Sequence, residues 1–153
     1  MKNLINKTLE SGAGLEAVIL RVPIGLILAA HGSQKLFAWF GGYGLEGTGQ
    51  WMASVGLNPG FVMALLAGSA EFFGGIALIM GLLTRLAAVI NAFTMLVALF
   101  WVHWGHGFFL DTHGIEYALA LFSASAALVL IGGGRYSLDR YLLDANLLGA
   151  KDE

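Results

Sequence analysis

Glu71 is the only charged residue in the apolar run Phe61–Met80, a stretch long enough to cross a membrane. An ionisable side chain at that depth is costly unless it faces a partner or a cavity. A carboxylate held there can anchor a cation or relay protons. Its candidate partners lie on the preceding run, Ala17–Phe40. At 100° per residue, Arg21, Gly25, Leu28, His31, Gly32 and Lys35 share a helix sector of about 120°. Counting ~1.5 Å per residue puts Arg21 about 6 Å and Glu71 about 14 Å above the inner membrane boundary. An extended arginine can reach across much of that gap along an apolar wall. The spacing therefore predicts an Arg21–Glu71 ion pair, with His31 approaching Glu71 from above.

In that arrangement His31, Glu71 and Lys35 are the candidate catalytic groups, able to donate hydrogen bonds and move protons. Arg21 would balance charge beside a ligand, and Trp39, Phe72 and Phe73 would flank it. Asn91 and Glu116 are further candidate ligand contacts. The alternative is a purely structural Arg–Glu pair that locks two helices, with Asn91 as hydrogen-bond glue between helices. Imidazoles and carboxylates also suit transition metals, which makes His103, His106 and His113 weak candidates for a metal site. His113 precedes Glu116 by three residues, one helix face if the helix has already begun. The spacing matches no di-iron bundle pattern, which needs two Glu-x-x-His helices and two further glutamates.

These residues must be positioned by membrane helices. The 153-residue chain is 58% hydrophobic and 12% charged, against roughly 25% charged in soluble domains. Four apolar stretches, about 17–40, 61–80, 86–104 and 112–131, approach the ~20 residues a span needs. The predicted fold is all-α: a polytopic membrane protein with an antiparallel bundle of four transmembrane helices, read as one domain. Thr48 is expected to cap a short outer interfacial helix that carries Trp51 and Met52 and ends at Gly56. Ser137 is expected to cap a short C-terminal amphipathic helix over Leu138, Tyr141 and Leu142. The polar start, Met1 to Glu16, does not resemble a cleavable signal peptide and is read as retained. Gly25 and Gly32, then Ala64, Gly68 and Gly75, then Glu116, Ala120, Ser123 and Ala127 form small-residue stripes expected to face inward.

Orientation follows from the basic residues. Lys2, Lys7, Arg85, Arg135, Arg140 and Lys151 fall on one side of four alternating spans, and Lys35 stands alone on the other. The positive-inside rule makes that first side, with both termini, cytoplasmic. Trp39, Trp51, Trp101 and Trp104 all fall on the opposite side, at headgroup level. A net charge of −2 without a basic cluster excludes nucleic acid as a partner. The absence of cysteine excludes a disulfide, a thiolate metal site and thiol exchange within the chain.

Arg21-Val-Pro-Ile-Gly25 followed by His31-Gly-Ser-Gln-Lys35-Leu36 resembles the first-helix signature of the DoxX family of bacterial inner-membrane proteins. Trp51–Leu57 resembles that family's outer interfacial helix. Glu71-Phe-Phe-Gly74-Gly75, Gly81 and Thr84-Arg85 resemble its second helix and following turn, and Ser137-Leu138-Asp139 its closing motif. The resemblance runs from about Leu15 to Tyr141. It implies a four-helix membrane bundle in the bacterial inner membrane. It also implies an association with thiosulfate:quinone oxidoreduction, oxidative or thiol stress, or quinone handling. The function expected is therefore a redox-associated membrane protein that holds a quinone or similar lipophilic ligand. Its expected partners are membrane lipid and either a second copy or a redox subunit. A non-enzymatic subunit or stress-response scaffold is the alternative, and metal or small-solute handling by the outer histidines is a third reading.

Overall fold

The computed structural model describes residues 10–149; Lys2, Lys7 and Lys151 lie outside them. Helix α1 (Leu15–Phe37) runs unbroken through Pro23 and buries Ala17, Arg21, Gly25, Leu28 and Gly32, one face at helical spacing. A left-handed Ala38 and a 3₁₀ turn (Trp39–Gly41) lead to α2 (Gly44–Ser54). Helix α3 (Gly60–Met80) buries Ala64, Gly68, Glu71, Gly75 and Leu78. It ends at left-handed Gly81, where Leu82 N–H bonds back to the Ala77 carbonyl at 2.9 Å. Three residues later α4 (Thr84–Val97) begins, and a π-turn (Ala98–His103) prolongs it. Helix α5 (Glu116–Ile131) and α6 (Leu138–Gly149) follow, the last elements among the described residues.

Three helical segments are long and apolar enough to cross a membrane: Leu15–Phe37, Gly60–Met80 and Thr84–His106. The fourth, Glu116–Ile131, is apolar but shorter. With no strand among the described residues, this is an all-α polytopic membrane fold. Its outward faces carry Ile19, Phe73, Phe93 and Leu130, all largely exposed, as lipid contact requires.

The bundle is antiparallel because rising numbers on α1 meet falling numbers on α3. Gly25 sits on Gly75 and Ile79, and Gly32 sits on Gly68 and Phe72. Here glycine is required by close approach. A Cβ at Gly32 would stand 2.3 Å from the Phe72 nitrogen, and one at Gly25 would stand 2.6 Å from the Gly75 carbonyl. Helix α2 docks in the same way, with Gly49 against Gly60 at the start of α3. The core cluster joins Leu28, Leu78, Ala87, Ala88, Met95, Leu121 and Leu128 from the four long helices.

Several boundaries differ from the sequence reading. Helix α2 starts at Gly44, so Thr48 lies inside it and is buried rather than capping it. The fourth helix starts at Glu116, not near Thr112. Left-handed His113 separates it from a 3₁₀ turn at Leu110–Thr112, so His113 and Glu116 do not share a helix face. Of the fourth helix's small-residue stripe, Ala120 and Ser123 are exposed; α5 packs inward through Ala118, Leu121, Ser125 and Leu128. Ser137 does cap α6: its Oγ accepts the Arg140 N–H at 3.2 Å. That helix docks through Asp139 and Leu143, leaving Leu138, Tyr141 and Leu142 exposed. The Asp139 carboxylate accepts the N–H groups of Leu83 and Thr84 at 2.6 and 2.9 Å. A residue from α6 thus supplies the N-terminal cap of α4 that α4's own sequence lacks.

The glycine contact yields the first prediction. Gly32→Ala is expected to cost roughly 1–3 kcal/mol, because backbone rather than a flexible side chain must move. Gly12→Ala, which meets nothing within 4 Å, is expected to leave stability unchanged. Thermal unfolding of both variants in mild detergent checks this.

Candidate functional site

Glu71 pairs with Lys35, not with Arg21. Lys35 Nζ lies 2.6 Å from Glu71 Oε2, and the two side chains are 23% and 5% exposed. The reason is the tilt of helical side chains toward their own N-terminus. Helix α3 runs from the tryptophan end toward the arginine end, so Glu71 leans back toward the tryptophans. Helix α1 runs the other way, so Lys35 leans down toward Glu71 while Arg21 leans away from it. Register agrees, since the Gly25–Gly75 and Gly32–Gly68 contacts place Glu71 opposite the stretch between Gly25 and Gly32. That register brings Lys35 nearer to Glu71 than Arg21 along the axis, and the tilt works in the same direction.

Arg21 spends its donors on backbone. Its Nε donates to Gly133 O at 3.2 Å and Nη2 to Tyr136 O at 2.6 Å. Its Nη1 donates to Leu78 O at 3.0 Å and also to Ile79 O. The last carbonyls of α3 have no partner within their own helix, and a buried cation at that negative end is favourable. Arg21 therefore binds the end of α3 to the Gly132–Tyr136 connection, far from the position expected of a charge beside a ligand.

His31 takes Tyr117 on α5 as its hydrogen-bond partner. Its Nε2 and the Tyr117 hydroxyl are 3.2 Å apart, with ring centroids 5.8 Å apart. The sequence reading missed Tyr117. A signal existed, because a phenol on an inward-leaning membrane helix needs a hydrogen-bond partner, and His31 is the polar group across from it. Trp39 and Phe72 do come together, with Phe37 between them. Phe37 and Phe72 pack edge-on at 5.1 Å, and Trp39 and Phe72 at 6.4 Å. Phe73 touches Phe72 but is exposed on the far side.

The other candidates lie apart from this cluster. Asn91 is fully buried, and its amide donates to Ala87 O in its own helix at 3.0 Å, so it does not join two helices by a hydrogen bond. Glu116 Oε1 accepts the Leu110 N–H at 2.5 Å and braces the loop before α5. His103 Nδ1 and the His113 carbonyl are 2.7 Å apart, and His106 offers its carbonyl to Thr112 Oγ1 at 2.9 Å. Those histidines shape the loop, and among the described residues no three of His, Asp or Glu converge on a metal position.

Lys35 also lines a groove of about 580 Å³ at the tryptophan end. Gln34, Gly42, Tyr43, Thr48 and Trp51 form its walls, contributed by the end of α1, the connection after it and α2. An ammonium carries three donors. One is committed to Glu71, so Lys35 can bond a group in the groove while keeping the carboxylate paired. The site therefore links an open, partly aromatic groove to a buried proton acceptor through one side chain.

Comparison with known proteins agrees with this architecture. The DoxX family profile matches residues 17–104, which includes both Lys35 and Glu71. A Bacillus subtilis (strain 168) protein named "Putative oxidoreductase CatD" is 33% identical over 90% of this chain and 92% of its own. "Inner membrane protein YqjF" of Escherichia coli (strain K12) is 36% identical over 89% of this chain and 96% of its own. No solved structure matches the chain. With an apolar helical fold and relatives that match over almost their whole length, this bacterial inner-membrane chain belongs to the DoxX family.

Proposed function

We propose that the protein crosses the inner membrane four times, with the arginine end cytoplasmic, and holds a quinone or similar lipophilic carbonyl compound over Lys35. It serves a redox reaction there. The observation that carries this reading is the double role of Lys35: it lines the groove and grips Glu71 at 2.6 Å. A quinone head needs donors at its oxygens and apolar walls for its ring. The Lys35 ammonium and the Thr48 and Tyr43 hydroxyls supply such donors, and Trp51 supplies aromatic surface. When bound, such a group would supply electron acceptance coupled to proton uptake. Lys35 would hold the oxygen, and Glu71 would release or receive the proton behind it. His31 and Tyr117, one turn deeper on α1 and across on α5, form a second hydrogen-bonded donor pair. With no thiol in the chain, the reducing equivalents come from a partner redox subunit or a soluble donor. That one relative has oxidoreductase in its name supports the same class of reaction.

The second reading is a subunit or scaffold without turnover, in which the Lys35–Glu71 pair only joins α1 to α3. A double-mutant cycle separates the two. Lys35→Met alone strands a buried carboxylate and is expected to cost about 3–5 kcal/mol, whereas Lys35→Met with Glu71→Leu recovers most of that loss. On the ligand reading, short-chain quinones raise the unfolding temperature of the wild type but not of the refolded double variant. A double variant that keeps the full shift would sink the role given to the pair. Independently, solvent extraction of protein purified in mild detergent is expected to release a quinone detectable by mass analysis. Absence of both the molecule and the shift leaves the scaffold reading in place.

Orientation has its own measurement. In spheroplasts, Tyr43→Cys is expected to react with a membrane-impermeant maleimide and Arg140→Cys only after lysis. The reverse pattern overturns the topology.

A further inference from the structure

Asn91 and Ser125 are both completely buried, and the Asn91 Oδ1 and Ser125 Oγ atoms have no hydrogen-bond partner among the described residues. They occupy one layer of the bundle. Ala88 and Met95 flank Asn91 one turn away on either side, Leu121 and Leu128 flank Ser125, and all four flanking residues pack in a single cluster. Arg85 bonded to the Val129 carbonyl and His103 on the His113 carbonyl agree with an antiparallel pairing of α4 and α5 that brings Asn91 to about the level of Ser125. The Asn91 amide rests on bare backbone of α3, where a Cβ at Gly74 would stand 2.3 Å from Nδ2. Gly74 is three residues beyond Glu71, on its arginine side.

A buried polar atom with no partner is destabilising, and the usual remedy in a site with two or more polar groups is an ordered water. Serine in a membrane helix ordinarily satisfies itself on the carbonyl four residues back, as Ser123 does on Leu119 at 2.8 Å. Ser125 does not. The other two buried atoms without partners, Thr84 Oγ1 and Arg85 Nε, lie at the arginine end; this pair lies within the apolar core.

We propose that the Asn91–Ser125 layer is a binding site for internal water, held between Asn91 Oδ1 and Ser125 Oγ beneath the carboxylate of Glu71. The ligand class is a small neutral molecule that both donates and accepts hydrogen bonds. Such a site puts exchangeable protons inside the bundle between Glu71 and the arginine end, on the side of Glu71 away from the groove. It does not depend on the quinone reading, since it concerns a different layer and no redox partner.

Two measurements on the full chain test it. In bilayers, water-edited solid-state NMR is expected to transfer polarisation from water to the Asn91 side-chain amide within milliseconds, the amide being assigned through its own backbone. No transfer to that amide, with transfer to interfacial residues intact, overturns the proposal. Ser125→Ala gives an opposite sign for the two alternatives. If the hydroxyl holds water, its removal lowers the unfolding midpoint by about 2–4 °C, as the loss of one hydrogen bond does in a chain of this size. A midpoint unchanged or raised means that the hydroxyl had nothing to lose, and it overturns the proposal on its own.

Discussion

The contact of bare backbone on bare backbone between α1 and α3 sets the geometry of everything polar in this bundle. Gly25 on Gly75 and Gly32 on Phe72 allow the two axes to approach until the glycines touch main chain. Within lipid there is no hydrophobic drive to bring helices together, so such packing does that work. Once that register is set, the N-terminal lean of helical side chains leaves little choice. Lys35 and Glu71 lean toward one another, and Arg21 leans out toward the end of α3. One ion pair and one helix cap follow from a single packing contact.

The buried charges divide by what they satisfy. Arg21 and Asp139 both serve backbone: the guanidinium takes carbonyls at the end of α3 and in the Gly132–Tyr136 connection, and the carboxylate takes the first N–H groups of α4. Together they fasten both sides of the tight α3–α4 turn to the segment before and within α6. Unsatisfied main-chain groups near lipid are expensive, so neither residue is free to act on a ligand without opening that end of the fold. The chemistry-bearing groups lie at the opposite end, around Lys35, Glu71, His31 and Tyr117. The molecule thus has a stitched end and, opposite it, an end that carries the Lys35–Glu71 pair.

How much of this was legible in the sequence varies with the physics involved. Helix existence and the inward glycine faces of α1 and α3 follow from apolar length and angular spacing, and both are present in the fold. The clustering of the four tryptophans and the Ser137 cap were legible for the same reason. Height arithmetic named the wrong partner for Glu71, because at ~1.5 Å per residue it left Arg21 about 8 Å away and Lys35 about 13 Å away; the glycine contacts set Glu71 higher, nearer Lys35. The direction of side-chain lean works the same way, and it was available from chain direction alone. Other features needed coordinates. Left-handed His113 ends one turn before α5 begins, so the Glu116 carboxylate braces a loop instead of joining a histidine. Tyr117 became meaningful only when α5 was seen opposite α1. On α5 the inward face carries Ala118, Leu121, Ser125 and Leu128, and Ala120 and Ser123 are exposed.

The Lys35–Glu71 pair is a poor choice if holding helices together were its only duty. Desolvating two charges offsets most of what their attraction returns, and well-packed apolar residues of similar size do as well or better. Registry between α1 and α3 is already secured twice, by the glycine contacts and by the Arg21 clamp at α3's far end. An ion pair adds no position that these leave undetermined. What it adds is a charged, partly exposed ammonium lining a groove, coupled to a nearly buried carboxylate. That combination has little structural value and clear chemical value, which supports the ligand reading over the scaffold reading for this end of the bundle.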